Sequence, residues 1–315
     1  MKLEEMKYFV EIVKARSINQ ASKTLFVAQP ALSRMLTALE KDLGFPLLER
    51  SKHGITPTKS GQEVYNDCVR MLQQYADCRH RWNDFAYQFS DTLFPVQIVA
   101  LPMICNTTMN EVFFEIAQQY PKIQLTLFEC QLPNILETAV KKPHSICFSH
   151  YNEQTKDEIY AFAKEHRMQI LPLFDDEYKF FVNSNNQLVG KQLTFKDLTG
   201  FTIARYSNTI PEDDSKHIST VNLADLFNDF NKTLFLSNRY TIIESVIADK
   251  AINFSADIIT KAEAYRKNNS IAPLQIMDFH FPITYFLMFA AKPALEESIV
   301  TDVLQKHYRS LADPV

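Results

Sequence analysis

Apolar side chains recur every three or four residues between Met6 and Leu39, in three short runs separated by polar breaks. Met6, Phe9, Val10 and Val13 form the buried stripe of a first helix. Ser17 and Asn19 are cap candidates for a second helix reaching about Leu25, with Ala21 and Leu25 facing inward. In VAQPALSRMLTALEKDLG (27–44), Leu32, Met35, Leu36 and Leu39 give a third helix its inner face. Pro30 suits its first turn, where a missing N–H costs nothing. The period then changes. Leu47 to Ser51 reads as a short strand, Lys52-His53-Gly54 as a turn and Ile55-Thr56 as the return strand. Thr56 followed by Pro57 fits a helix start. From there to about Phe89, Val64, Cys68, Met71, Leu72, Tyr75, Trp82, Phe85 and Phe89 keep a helical rhythm. Such a helix spans about 45 Å, too long for one small domain to cover. Its stripe needs a partner, either an antiparallel copy from a second subunit or the chain's own body.

Beyond residue 90 strand and helix patterns alternate. PVQIVALP (95–102) is a buried strand, and a helix follows from Asn106 to about Gln119. KIQLTLFE alternates Ile123, Leu125 and Leu127 on one side; a helix from about Leu132 to Lys141 and the strand SICFSH come next. This β-α-β-α-β order predicts a parallel open sheet with helices on its faces. A second unit begins near Leu171–Leu173, with the strand YKFFV, the capped turn LTFKDLTG and the strand FTIAR. A helix from about Thr220, the strand TLFLS, the helix YTIIESVIAD and the strand KAINFS continue it. The tail returns with ITYFLMFAA and a helix from about Ala294 to Leu311. The fold class is α/β overall.

Composition narrows the classes. A hydrophobic content of 46% with 22% charged residues is globular, and 315 residues suffice for two or three domains. No apolar run approaches the ~20 residues of a membrane span, and the N-terminus lacks a signal peptide's apolar stretch, so a cytoplasmic location and no membrane partner are expected. Five cysteines without a C-x-x-C pair argue against a disulfide framework or a zinc site, and no cofactor is implied. Charge is unevenly spread. Residues 1–60 hold ten Lys/Arg against six Asp/Glu, while the whole chain is −4. A basic module on an acidic body indicates that the module alone meets a polyanion.

The third helix is where that contact is expected. Gln29, Pro30, Ser33, Arg34 and Thr37 share the face opposite its leucines, and no acid appears there until Glu40. Amide, hydroxyl and guanidinium groups can donate to phosphates and base edges, and Gln and Arg can bond adenine or guanine bidentately. This face fits the major groove of DNA; a solvated helix face is the alternative. Arg50, Lys52, His53 and Lys59 make the following hairpin basic, as a wing contacting backbone or minor groove would be, or as a solvated hairpin.

INQASKTLFVAQPALSRMLTALEKDLGFPLLER followed by GITPTKSG resembles the winged helix-turn-helix of LysR-type transcriptional regulators, a bacterial family. The resemblance places Gln29, Pro30, Ser33 and Arg34 on DNA-reading positions, and Arg50 and Thr56 to Thr58 on wing and backbone contacts. It implies dimers or tetramers joined through the linker helix, operator DNA as partner, RNA polymerase as a further one, and a small-molecule effector. Ala28 departs from the family's capping Ser or Thr, a loss of roughly 0.5–2 kcal/mol. The implied layout is a winged helix-turn-helix over 1–60, a linker helix over 61–90 and an effector-binding domain over 91–315. The last has two periplasmic-binding-protein-like subdomains, about 94–171 plus 274–315 and about 172–273.

Ligands of open α/β sheets sit beyond the carboxyl ends of strands. Asn106, Thr107 and Thr108 open the first body helix, where free N–H groups favour an anion or carbonyl. Phe128 and Cys130 end the second strand, Ser149 and His150 the third, and Arg205 and Tyr206 a strand of the second unit. Thr107 and Arg205 would hold a carboxylate or polar head, with Phe128 and Tyr206 against an apolar ligand body. The alternatives are helix capping for Asn106 or Thr107, a solvated Arg205 and an ordinary satisfied histidine at 150. Where the family often carries G-x-G-I, this chain has DKAIN, with Asp249 and Ala251. Together with 24 phenylalanines and five glycines, that points to a larger or aromatic effector. Cys105, Cys130 and Cys147 read as small buried hydrophobes rather than a thiol sensor. No phosphate loop, G-x-S-x-G or H-E-x-x-H is present, so an enzyme using Cys130 or Cys147 with His150 has nothing else behind it. A ligand-independent architectural DNA binder is the other alternative.

Overall fold

The computed structural model describes residues 1–25, 27–51, 54–89, 93–106, 109–132, 134–206, 227–261 and 270–312. The chain divides into two compact units, Met1–Ala86 and Tyr87–Val315.

In the first unit α1 (Leu3–Ala15), α2 (Ile18–Leu25) and α3 (Gln29–Leu43) enclose Phe9, Ile12, Ala21, Leu32, Leu36 and Leu39. Each large side chain in this set stabilises by about 1.5–3 kcal/mol through burial. Ile12 is fully buried and Val13 only partly, a shift from the expected stripe. The physical reason is that α1 packs on both α2 and α3, so its apolar face is wider than one row. Arg16 closes α1 in the left-handed region at φ 50°. Ser17 caps α2, its hydroxyl accepting from the Gln20 N–H at 3.2 Å, whereas Asn19 lies inside the helix. The hairpin β1 (Leu48–Ser51) and β2 (Gly54–Pro57) pairs antiparallel, Leu48 opposite Pro57 and Ser51 opposite Gly54. Thr56 and Pro57 therefore finish a strand instead of starting a helix. The helix α4 (Lys59–Gln88) begins two residues later, capped by Thr58. Cys68 of α4 is buried against the three-helix core, with Val64 and Leu72 beside it. Met71, Tyr75, Trp82 and Phe85, expected on the same stripe, are exposed.

The second unit is built on nine strands among the described residues: β3 (Phe94–Ala100), β4 (Ile123–Glu129), β5 (Ser145–Tyr151), β6 (Met168–Asn183), β8 (Thr202–Tyr206), β9 (Lys232–Leu236), β10 (Ile252–Ala256), β11 (Ile271–Pro273) and β13 (Pro282–Ala290). Their order is β4-β3-β5-β13-β6-β10-β8-β9, with β11 on β6; β7 (Gln192–Leu193) and β12 (Gln275–Ile276) form a small separate pair. The expected parallel arrangement holds for β4, β3 and β5 and for β10, β8 and β9. Between these triplets β13 runs antiparallel to β5 and β6, and β6 antiparallel to β10. The expected strand YKFFV is the second half of β6, which at 16 residues passes through both halves of the sheet. Helices α5 (Pro102–Cys105), α6 (Met109–Gln119), α7 (Ile135–Lys141), α8 (Lys156–Glu165), α9 (Arg239–Ile247) and α10 (Leu295–Ala312) accompany the sheet. Helix α8 has no counterpart among the expected elements, and the helix expected from Thr220 begins outside the described residues.

The phenylalanines have a packing explanation. Phe180 meets Phe195, Phe230, Phe254 and Phe279 at centroid separations of 4.8–6.1 Å. These rings serve the core of the β8–β10 half.

Candidate nucleic-acid interface and ligand cleft

With Leu32, Leu36 and Leu39 turned into the core, Gln29, Pro30, Arg34 and Thr37 stand exposed along α3 and Ser33 is half-buried among them. Gln29 donates from Nε2 to the Ser33 hydroxyl at 3.3 Å, and the Thr37 hydroxyl donates to the Ser33 carbonyl at 3.1 Å. These bonds hold the polar face in register while leaving the Arg34 guanidinium exposed. Ala28 makes no side-chain cap; Pro30 has no N–H to offer, and the Ala31 N–H turns back to the Ala28 carbonyl at 2.8 Å. Glu40, the first acid along α3, has a structural role. Its Oε1 accepts from the Leu47 N–H at 2.8 Å and the Leu48 N–H at 3.3 Å, which fastens α3 to the hairpin. A second tie runs from the Ile55 N–H to the Arg16 carbonyl at 2.9 Å.

Of the hairpin candidates, Thr56 is exposed on β2. Thr58 is engaged within the fold, its hydroxyl donating to the Pro46 carbonyl at 2.9 Å and accepting from the Gly61 N–H at 2.8 Å. Lys52, His53 and the Arg50 side chain lie outside the described residues.

In the second unit the expected ligand residues have different surroundings. Asn106 does not open the first body helix. It closes α5, and its Nδ2 donates to the Pro102 carbonyl at 2.7 Å and to Glu129 Oε2 at 3.0 Å. Thr107 and Thr108 lie outside the described residues. Phe128 carries the Lys142 ammonium over its ring at 3.4 Å, and Cys130 donates from Sγ to the Thr138 hydroxyl at 3.5 Å. Ser149 and His150 are buried in β5. His150 Nε2 pairs with the Tyr178 hydroxyl at 2.9 Å, and its ring meets those of Tyr178 and Tyr285 edge-on. Burial pushes its pKa down to about 4, so it is neutral at pH 7. Arg205 is buried rather than solvated, its guanidinium lying 4.1 Å from the Phe227 ring and 5.8 Å from Phe235. Tyr206 packs against the cluster of Ala204, Ile242 and Ala251.

Sequence reasoning missed two clusters, one joining the halves of the sheet and one within the β8–β10 half. Met103 of α5 accepts from the Ser255 hydroxyl at 3.2 Å and from the Tyr285 hydroxyl at 3.7 Å. Arg239, at the start of α9, is 4% exposed and donates from Nη1 to Asn253 Oδ1 at 3.3 Å. Asn253 in turn donates to the Ala204 carbonyl at 2.9 Å. The signal was present in SNRYTII: a cap residue after a strand end, followed by an arginine on the first helical turn.

Cys105 and Cys147 are poor nucleophiles. Burial raises Cys105 to about 12 and pushes Cys147 higher still. His150 pairs with a tyrosine, not with sulfur.

Residues 3–62 match the model of the bacterial regulatory helix-turn-helix protein, lysR family. The nitrogen assimilation regulatory protein nac of Klebsiella aerogenes is 43% identical over 74 residues, 24% of each chain. The chain thus spans about a quarter of that relative's length. Among solved structures, CrgA from Neisseria meningitidis, described as a LysR-type transcriptional regulator, is 16% identical, with 98% of this chain and 99% of that one covered at a TM-score of 0.58. Full-length BenM is 18% identical over 100% of both chains at a TM-score of 0.51. Residues 3–62 are a LysR-family helix-turn-helix domain, and the chain as a whole has the fold of a LysR-type transcriptional regulator.

Proposed function

We propose that the protein is a DNA-binding transcriptional regulator in which residues 1–60 bind operator DNA, 61–90 join subunits and 91–315 bind a small-molecule effector. The observation carrying this reading is the exposed Gln29–Arg34–Thr37 face of α3, anchored from behind by Leu32, Leu36 and Leu39. In this reading Gln29, Ser33 and Arg34 reach base edges in the major groove, Pro30 and Thr37 flank them, and Arg50, Lys52, His53 and Thr56 meet backbone. The exposed Met71, Tyr75, Trp82 and Phe85 on α4 support self-association, as a dimer or tetramer. No helix among the described residues is long and apolar enough to cross a membrane, and DNA as partner requires the cytoplasm. RNA polymerase is the further partner of a regulator that acts on initiation.

The effector acts by binding the paired bodies differently in two states, since a ligand shifts an equilibrium only by its differential affinity. The test is capture of genomic fragments by the full chain, then anisotropy on a captured duplex across a salt series. A steep fall of affinity with salt and a preference over random duplex support the reading; equal, salt-insensitive binding to all duplexes removes it.

A further inference from the structure

We infer that Arg239 is the anchor of an anionic ligand, held two-pronged through its Nε–Nη2 edge, in the cleft between the two halves of the second unit. This rests on the effector reading and gives that site its ligand class: a small molecule carrying a carboxylate or phosphate.

A buried charge is costly. An arginine is protonated at any physiological pH, and a guanidinium out of water without a counter-charge is strongly unfavourable. Arg239 is 4% exposed. Its Nη1 has Asn253 Oδ1 at 3.3 Å, a neutral acceptor, while Nε and Nη2 have no hydrogen-bond partner among the described residues. These two nitrogens share one edge of the planar group. Their N–H bonds run nearly parallel, at the spacing of the two oxygens of a carboxylate or of two phosphate oxygens. A lysine could not present that edge.

The surroundings favour the same ligand. Arg239 occupies the first turn of α9, whose N-terminus is capped by Asn238 and whose first turn holds no acid. The helix dipole therefore adds positive potential at this end. The buried phenols of Tyr178 on β6 and Tyr285 on β13 both feel the Arg239 charge. Asp176 acts on the same phenols with the opposite sign, and one of its oxygens accepts the Ile258 N–H at 2.9 Å. Asn253 fixes the guanidinium plane from β10 and is itself tied to β8 through the Ala204 carbonyl. The guanidinium is thus held from rigid elements by its Nη1, which leaves the Nε–Nη2 edge without a partner among the described residues. Arg205, the arginine that the sequence singles out, lies instead against two phenylalanine rings.

The test is calorimetry and thermal melting of the full-length protein with benzoate, pyruvate and inorganic phosphate, against benzamide as the neutral control. At least one oxyanion is expected to raise Tm and benzamide to leave it unchanged; which anion responds separates carboxylate from phosphate. Arg239→Met should abolish the shift, and Arg239→Lys, which keeps the charge and loses the fork, should weaken binding at least tenfold with the far-UV spectrum unchanged. Equal stabilisation by benzamide, an undiminished shift in both variants, or no response to any of the three oxyanions would overturn the assignment. Operator anisotropy separates the two claims. An anion that binds through Arg239 without altering operator affinity leaves the anchor standing and removes the effector reading. A neutral compound that alters operator affinity equally in wild type and Arg239→Met does the reverse.

Discussion

Gly61, in the first turn of α4, lies so close to the Leu47 carbonyl that a Cβ on it would sit 1.8 Å from that oxygen and 2.8 Å from its carbon. The same carbonyl accepts the Thr58 N–H at 2.9 Å, and Leu47 is fully buried. Helix, wing and core meet at this one peptide. Gly61→Ala forces backbone apart in a packed region, so a loss of about 2–4 kcal/mol in the first unit is expected. Urea unfolding followed by circular dichroism checks it, and an unchanged midpoint would contradict the contact.

How much of this was legible beforehand follows from the kind of interaction involved. The leucines of α3 and the parallel strands β3, β4 and β5 declare themselves by period, because one-sided burial imposes a repeat on the sequence. The Gly61–Leu47 contact joins two segments of different period, and only resemblance pointed to GITPTKSG as a unit. In the cleft the difficulty is greater. Asn106 reads as a helix start because Asn caps well, yet the short turn Pro102–Cys105 intervenes and makes it an end. Arg205 and Arg239 look alike in the sequence; which of them lies against Phe227 depends on side chains far apart in the chain. The stripe on α4 was visible, but whether it covers itself or a second copy is not written in its period.

Glu40→Ala should lower the stability of the first unit by about 1–3 kcal/mol, because it leaves the buried-side N–H groups of Leu47 and Leu48 without their acceptor. Removing an acid near DNA works in the opposite direction on electrostatic affinity, at about 1 kcal/mol or less for an exposed charge. Wing positioning therefore decides the outcome: operator binding weakens. Glu40→Gln keeps one acceptor oxygen and should fall between. Denaturant midpoints and anisotropy on the same three proteins check the order.

Arg34 is exposed, and no shared core contact complicates its removal. Arg34→Ala should leave Tm within about 1 °C, since surface substitutions usually change stability by less than 0.5 kcal/mol. Operator affinity should drop by about 1–3 kcal/mol with relaxed preference at one base pair, the signature of a lost base contact. Uniform weakening on all duplexes would assign Arg34 to phosphate instead.

Trp82 and Tyr75 touch edge-on at 6.4 Å on the exposed side of α4, and Trp82 is 54% exposed in the single chain. Trp82→Arg places a charge in the middle of that stripe at little cost to the monomer fold. Sedimentation should show a shift toward monomer at micromolar concentration, with operator affinity falling because two linked DNA modules bind more tightly than one. A variant that sediments as wild type would move the subunit interface elsewhere.

His150 sets an acid limit. Its folded pKa of about 4 lies below the 6.5 of an unperturbed imidazole because burial disfavours the charged ring. Between these values the unfolded chain binds a proton that the folded chain does not, so stability falls as pH drops through 6.5 and levels off below about 4. The full loss from this group is about 3 kcal/mol, at 1.36 kcal/mol per pH unit of difference. His150→Gln keeps a hydrogen-bonding group for the Tyr178 hydroxyl and removes the titration. Its melting temperature should therefore depend less on pH than the wild type's between pH 7 and 5, and parallel pH profiles for the two proteins would show that the histidine is not the group responsible.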